Sequence, residues 1–255
     1  MALFDLKQLK LKKKKKISTY VKSELLTEDS PFIITEAYKA MRTNLMFMLS
    51  EDKKVVAFTS AMANEGKTTT CLNVGIAFAQ AGQKILIIDM DMRKPRAHRY
   101  FEIPSSPGLS DRLGGFTKEL PISKTEYENL YVLPVGTIPP SPPELLMSAA
   151  FDKIIEELRG EYDYIFIDTP PIHVVTDIAI IANKIDGVVF VVRENTVSLE
   201  IVKQSIDSLE RVGAKILGFI LNDSIGDSLF TQYKYRRKYR ARYGYTYGYS
   251  LPHKE

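Results

Sequence analysis

Five short apolar runs, each too short to be a buried helix and each separated from the next by polar or helix-periodic sequence, constrain this chain most. They are Lys54 to Thr59 (KVVAFT), Lys84 to Asp89 (KILIID), Tyr164 to Asp168 (YIFID), Gly187 to Val192 (GVVFVV) and Ile216 to Leu221 (ILGFIL). Near-continuous β-branched runs of this length fit strands buried on both faces, as in a parallel sheet, whereas one-sided strands would alternate with polar residues. Lys67 to Ala81 and Leu199 to Arg211 carry helical periodicity between such runs. The pattern predicts an α/β fold: a mostly parallel sheet with helices on both faces. Earlier in the chain, Glu36 to Leu49 places Ala37, Ala40, Met41, Leu45 and Met48 at helical spacing and reads as an amphipathic helix. Residues 104–143 hold most of the prolines and show no clear period, so an irregular connection over the top of the sheet is expected there.

At 255 residues and 45% hydrophobic, the chain has enough apolar material for one sizeable core with appendages. Its single cysteine, Cys71, excludes an intramolecular disulfide framework and points to a reducing cytoplasm. The three histidines, His98, His173 and His253, lack ligand spacing, which argues against a protein-built zinc site. No apolar run approaches the roughly 18 residues of a membrane span. The lysine run Lys12 to Lys16 is followed by Ser18, Thr19, Lys22 and Glu24 in place of the apolar stretch of a secretory signal.

The formal charge of +4 is unevenly placed. Lys7, Lys10 and Lys12 to Lys16 make residues 1–30 a basic, flexible arm, open to three readings: a solvated segment, attraction to an anionic membrane surface, or contact with nucleic acid. At the other end, residues 224–255 carry seven of the fourteen tyrosines, at Tyr233, Tyr235, Tyr239, Tyr243, Tyr245, Tyr247 and Tyr249. Lys234, Arg236, Arg237, Lys238, Arg240 and Arg242 are interleaved with them, and Gly244 and Gly248 interrupt the run. Alternating phenols and cations leave no apolar face to bury, so a flexible tail is expected after a domain spanning 31–223.

Chemistry enters where the first strand ends. Ser60 to Thr69 (SAMANEGKTT) joins a strand to a helix, and Gly66-Lys67-Thr68 has the form of a phosphate loop, with Ala61 standing where the pattern wants its first glycine. Backbone amides at such a helix start face phosphate oxygens, the lysine reaches the terminal phosphates, and the threonine hydroxyl can hold magnesium. The second strand ends in Asp89-Met90-Asp91-Met92-Arg93, and YIFI ends in Asp168-Thr169-Pro170-Pro171, the form of a Walker B strand end. In doubly wound sheets ligands bind beyond the carboxyl ends of the strands, so three such ends converge on one Mg-nucleotide site.

With these motifs in view, the chain resembles the bacterial tyrosine kinases of capsule and exopolysaccharide synthesis, in the form separate from its membrane activator. The resemblance runs from about Glu36 to the tail. It rests on the phosphate loop, on D-x-D-x-R at Asp89, Asp91 and Arg93, on Asp168, on Pro139-Pro140-Ser141-Pro142-Pro143-Glu144-Leu145, and on the terminal tyrosines. It implies a P-loop NTPase-type fold related to the MinD/ParA ATPases, with ATP and Mg2+ at the site. Two departures stand out. Family members commonly read P-G-E-G-K where this chain has Ala63-Asn64-Glu65-Gly66-Lys67, and asparagine tolerates positive φ better than most residues. The family's ring-forming E-x-x-R-x-x-R appears as Glu36, Lys39 and Arg42, in which lysine cannot make the bidentate contact of a guanidinium.

Carried onto this sequence, the resemblance implies phosphoryl transfer to a phenol. Asn64, Glu65, Gly66, Lys67, Thr68 and Thr69 would cradle the nucleotide, and Asn222 would meet its base. Thr68, Asp91 and Asp168 would hold magnesium. Lys67, Asp89, Asp91 and Arg93 would carry the chemistry, with Asp89 orienting or accepting the phenolic proton. The tail tyrosines would be autophosphorylated and sugar-pathway enzymes would be substrates. Partners would be further copies of the chain, in a ring held by the helix within 31–50, and a membrane-embedded activator of the polysaccharide co-polymerase type. Such a protein would be cytoplasmic and peripheral at the inner face of the membrane. Each phosphate adds about −1.5 to −2, so a fully modified tail reverses its sign, and the tail reads as a charge switch in preference to a nucleic-acid hook. The rival reading is a MinD/ParA-type positioning ATPase. That group usually carries an additional lysine early in its phosphate loop, which Ser60 to Glu65 lacks.

Overall fold

The computed structural model describes residues 24–49, 54–175 and 177–223. The tail tyrosines and the lysine run fall outside these residues. Helix α1 (Phe32–Met48) precedes β1 (Val55–Ser60), α2 (Lys67–Ala79) and β2 (Ile85–Asp89). After β2 come the short helices α3 (Ala97–Tyr100) and α4 (Leu109–Leu113), then strands β3 (Ser123–Lys124) and β4 (Leu130–Leu133). Next are α5 (Pro142–Leu146), α6 (Ala149–Glu161), β5 (Tyr164–Asp168) and α7 (Asp177–Ile181), and finally β6 (Gly187–Arg193), α8 (Leu199–Arg211) and β7 (Ile216–Asn222).

The strands form one seven-stranded sheet in the order β3-β4-β2-β5-β1-β6-β7. Every neighbouring pair is parallel except β3 with β4. The expected sheet is therefore present, and the five apolar runs are five of its strands. Residues 104–143 correct the expectation of an irregular connection, because Leu130–Leu133 pairs in parallel with Ile85 to Ile88. Its run, LYVL, is only four residues long and is bounded by Asn129 at φ +62° and by Pro134, too short to stand out against a proline-rich background. Helix α6 was likewise not anticipated, although it buries Phe151, Ile154, Ile155 and Leu158 along one stripe.

Strand alternation divides the core in two. Val55, Ala57, Leu86, Ile88, Ile165 and Ile167 pack on one face with α6 and α7, whereas Val56, Phe58, Ile85, Ile87 and Phe166 pack on the other with α2. On the α2 side the rings of Phe58, Phe78 and Tyr164 surround Phe166, with centroids 5.6, 5.0 and 6.2 Å from it. At the lower edge Asp186 Oδ2 accepts from the amides of Lys54 and Val55, at 2.8 Å each, and pairs with Arg159. These contacts fix where β1 starts, and hence where its loop emerges.

The boundary drawn at residue 31 moves earlier. Leu25 and Leu26 are each only 3% exposed and belong to the α2-side core. The Leu26 amide donates to Asn73 Oδ1 at 2.8 Å, and Asn73 Nδ2 donates back to the Glu24 carbonyl at 3.0 Å. Residues from Glu24 onward are thus part of the domain.

Candidate active site

The loop between β1 and α2 uses backbone conformations that suit its residues. Asn64 sits at φ +68° and Gly66 at φ +88°, the left-handed region that asparagine tolerates and glycine occupies freely. A Cβ on Gly66 would stand 2.0 Å from Asn222 Nδ2, so the glycine is required by space as well as by φ. Asn222 Nδ2 donates to the Glu65 carbonyl at 3.0 Å. The Glu65 side chain is fully buried, and its carboxylate accepts from the Met62 amide at 2.5 Å and the Arg193 amide at 3.2 Å. Glu65, expected at the nucleotide, instead spends its carboxylate bracing the loop against β6.

Register places the acidic residues. Asp89 at the end of β2 is the Cα partner of Asp168 at the end of β5, and Phe58 of β1 is the partner of Asp168 on its other side. Three strand ends therefore meet at Asp168. Lys67 Nζ lies 3.1 Å from Asp91 Oδ2 and 3.4 Å from Asp168 Oδ1, while Thr68 Oγ1 donates to Asp168 Oδ2 at 2.7 Å. Burial opposes a charge on Lys67, but the carboxylates of Asp168 and Asp91 outweigh it and hold its pKa above the ordinary lysine value. Asp168 is pushed up by burial, against the pull of Lys67 and the Thr68 hydroxyl.

Asp89, expected to orient or accept the phenolic proton, is held by backbone amides. It is fully buried, its Oδ1 accepts from the Asp91 amide at 3.2 Å, and its Oδ2 accepts from the amides of Arg96 and Ala97 at 3.0 Å each. Both oxygens thus accept from backbone amides of the loop after β2. Burial, then the neighbouring Asp168 charge, raise its pKa to about 7. Arg93 turns its guanidinium to Asp177 at 3.5 Å. Asp177 is fully buried and was not anticipated, since nothing in the run after Pro171 marks it. Thr69 donates to Glu24 Oε2 at 3.2 Å and lies 3.1 Å from the Tyr100 hydroxyl.

The residue set fits magnesium bound with a nucleotide. Thr68 and Asp168 place a hydroxyl and a carboxylate side by side, Asp91 adds a second carboxylate, and Lys67 lies among them. Protein sites for magnesium at phosphates offer one or two carboxylates and leave the remaining positions to water and phosphate. Among the described residues no group of three His, Cys, Asp or Glu forms a self-sufficient metal cage.

On α1, Lys39 pairs with Glu36 at 2.9 Å, both half exposed, and Arg42 Nη1 donates to the Ala77 carbonyl at 2.9 Å. Arg42 therefore joins α1 to the end of α2 within the chain. Among the described residues, no helix is long and apolar enough to cross a membrane.

Comparison with known proteins gives the geometry its context. A family profile described as an AAA domain matches residues 53–222. The tyrosine-protein kinase CpsD of Streptococcus agalactiae is 39% identical over 199 residues, covering 77% of this chain and 84% of that protein. The chain belongs to the bacterial tyrosine-kinase family of capsule and exopolysaccharide synthesis. The tyrosine-protein kinase Wzc of Salmonella typhi is 35% identical over 82% of this chain, which spans 29% of that larger protein. Among solved structures, the chimerical protein CapA2B2 superposes with a TM-score of 0.75 at 38% identity, over 79% of this chain and 90% of that one. The kinase domain of Escherichia coli ETK gives 0.72 at 31%, over 88% and 87%. MinD of Pyrococcus horikoshii, solved with Mg-ADP, gives 0.58 at 27%, over 69% and 72%. The bacterial tyrosine-kinase fold and the P-loop NTPase fold are one and the same here.

Proposed function

We propose that this kinase transfers the γ-phosphoryl group of ATP to tyrosine hydroxyls and autophosphorylates its own terminal cluster, Tyr233 to Tyr249. The observation that carries the reading is the convergence of Lys67, Thr68, Asp91 and Asp168 at three strand ends within 3.4 Å contacts. Phosphoryl transfer asks a protein mainly to position the reactants and neutralise charge. Lys67 supplies the cation, and the amides of Asn64 to Thr69 supply the anion cradle at the start of α2. Thr68, Asp91 and Asp168 would hold magnesium, which neutralises the charge on the phosphates when bound. Asn222, at the end of β7 beside the loop, would meet the base.

Asp91, 7% exposed where Asp89 is fully buried, is the better carboxylate to orient the acceptor phenol, which with a pKa near 10 arrives protonated. Its Oδ1 accepts from the Lys94 amide at 3.0 Å and its Oδ2 faces Lys67. Arg93, half exposed and paired with Asp177, would add positive charge near the phosphates.

The homology to part of the longer Wzc and to the CapA2B2 chimaera supports action with a membrane-embedded activator of the polysaccharide co-polymerase type. In this reading the protein is cytoplasmic and peripheral at the inner face of the membrane. It assembles with further copies through Glu36, Lys39 and Arg42 on α1, and it phosphorylates enzymes of sugar metabolism. The positioning-ATPase alternative is disfavoured by the lack of lysine between Ser60 and Glu65 and by the seven tail tyrosines. The deciding experiment incubates the full chain and its Lys67→Met variant with Mg-ATP, with and without an activator's cytoplasmic tail, and maps phosphotyrosine by mass spectrometry. Phosphate on Tyr233 to Tyr249 in the parent alone supports the reading. ATP hydrolysis with no phosphotyrosine overturns it in favour of the ATPase.

A further inference from the structure

The segment at Glu24 to Leu26 reaches the nucleotide site by a route the motifs do not mark. Its backbone is clamped by Asn73, itself only 2% exposed, through the Leu26 amide and the Glu24 carbonyl. Leu25 and Leu26 are buried beside it. This seating puts the Glu24 carboxylate on the first turn of α2, where Oε2 accepts from the Tyr100 hydroxyl at 2.9 Å and from Thr69 Oγ1 at 3.2 Å. Thr69 follows the magnesium-holding Thr68 and is one of the residues assigned to the phosphate cradle.

A hydroxyl carries one hydrogen. While Thr69 gives it to Glu24, its oxygen has only lone pairs left to offer a phosphate, and the carboxylate adds a negative charge on the same turn. A nucleotide phosphate that recruits Thr69 must take that hydrogen from Glu24. Two anions then compete for one donor at a helix start that favours whichever is present. Tyr100 moderates the contest. Its hydroxyl, raised to about 12 by burial and then modified by its Thr69 and Glu24 contacts, remains protonated and supplies Glu24 with a second donor.

We propose that Glu24 is an intramolecular competitor of nucleotide phosphate for Thr69, so that the segment preceding α1 restrains nucleotide binding. The inference rests on the nucleotide-site reading above. Glu24→Gln keeps an acceptor in place and removes the charge, so Leu26 stays clamped while the competition weakens. The strength of hydrogen bonds to charged over neutral acceptors sets the scale of the effect at roughly three- to tenfold in affinity.

The test titrates Mg-ADP into the full chain by calorimetry, with Leu26 amide exchange and thermal melting as checks on folding. Glu24→Gln is expected to bind Mg-ADP more tightly, and Glu24→Ala should move the same way. Tyr100→Phe is expected to bind about two- to threefold more weakly, because Glu24 then leans on Thr69 alone. In a Thr69→Val background, Glu24→Gln should give no gain. A merely structural role would weaken binding in both the Glu24 and Tyr100 variants, and that pattern overturns the proposal. A gain that persists undiminished with Thr69→Val also overturns it, since the effect would then be long-range charge. A parent that melts normally yet binds no Mg-ADP would instead overturn the nucleotide-site reading itself.

Discussion

The side-chain amide of Asn222 stands 3.0 Å from the Glu65 carbonyl, in the space a side chain on Gly66 would need. The last strand of the sheet thereby closes over the phosphate loop of the first. Gly66→Ala should therefore fail twice, once through φ +88° and once through the 2.0 Å approach to Asn222. Left-handed strain alone costs about 1–3 kcal/mol. The expected outcome is a lower melting temperature and Mg-ADP binding too weak to measure, and Asn222→Ala should relieve the clash without restoring the parent.

Glu65 offers a second check on the loop. Its buried carboxylate satisfies the Met62 and Arg193 amides, and Glu65→Ala leaves both donors without it. An unsatisfied buried donor costs about 1–3 kcal/mol. Denaturant unfolding should register that loss, and Glu65→Gln should recover part of it, because the amide oxygen can replace one of the two acceptors.

The pH behaviour of Asp89 follows from its raised pKa of about 7, caused by burial and then by Asp168. Unfolding returns the carboxyl to about 4. Between these values the folded chain holds a proton that the unfolded chain has lost, so this group's stabilisation is complete below about pH 4 and is lost as pH rises through about 7. Stability measured by urea at several pH values should carry that downward contribution in the parent nucleotide-free chain. Asp89→Asn, which cannot ionise, should show a flatter profile over the same interval, and equal slopes would refute the assignment.

Phe166 anchors the face of the sheet under α2, enclosed by Phe58, Phe78 and Tyr164. Phe166→Ala should destabilise by about 3–5 kcal/mol through lost transfer energy and the cavity it leaves. Because Asp168 lies two residues further along the same strand, nucleotide affinity measured at a temperature where the variant remains folded should also fall.

Arg42 tests the role of α1. Its guanidinium is held by the Ala77 carbonyl, whereas Glu36 and Lys39 pair with each other at the surface. Arg42→Ala should lower the melting temperature by the loss of one charge-assisted hydrogen bond, about 1.5–3 kcal/mol. Glu36→Ala should leave melting within about 0.5 kcal/mol, as expected for an exposed pair. If α1 carries assembly, Glu36→Ala should reduce the mass measured by light scattering without touching stability.

The sequence by itself determined five of the seven strands, the phosphate loop and the acidic strand ends, because burial on both faces and the sharp turn into α2 leave local signatures. Asn64 at positive φ was legible for the same reason: the demand falls on one residue. Strand β4 was not legible, since its place in the sheet depends on pairing with Ile85 to Ile88 and its own four residues carry little pattern. Nor was the division of labour among the carboxylates. Asp89 and Asp91 look equivalent in DMDMR, and only the fold of the following loop turns the Arg96 and Ala97 amides onto Asp89, leaving Asp91 beside Lys67. The braces from Arg193 and Asn222 to Glu65 span 128 and 157 residues, and Glu24 meets Thr69 across 45. Such contacts are set by where the strands and the segment before α1 end in space. A linear pattern records what a residue can do, and the tertiary structure decides which partner it meets.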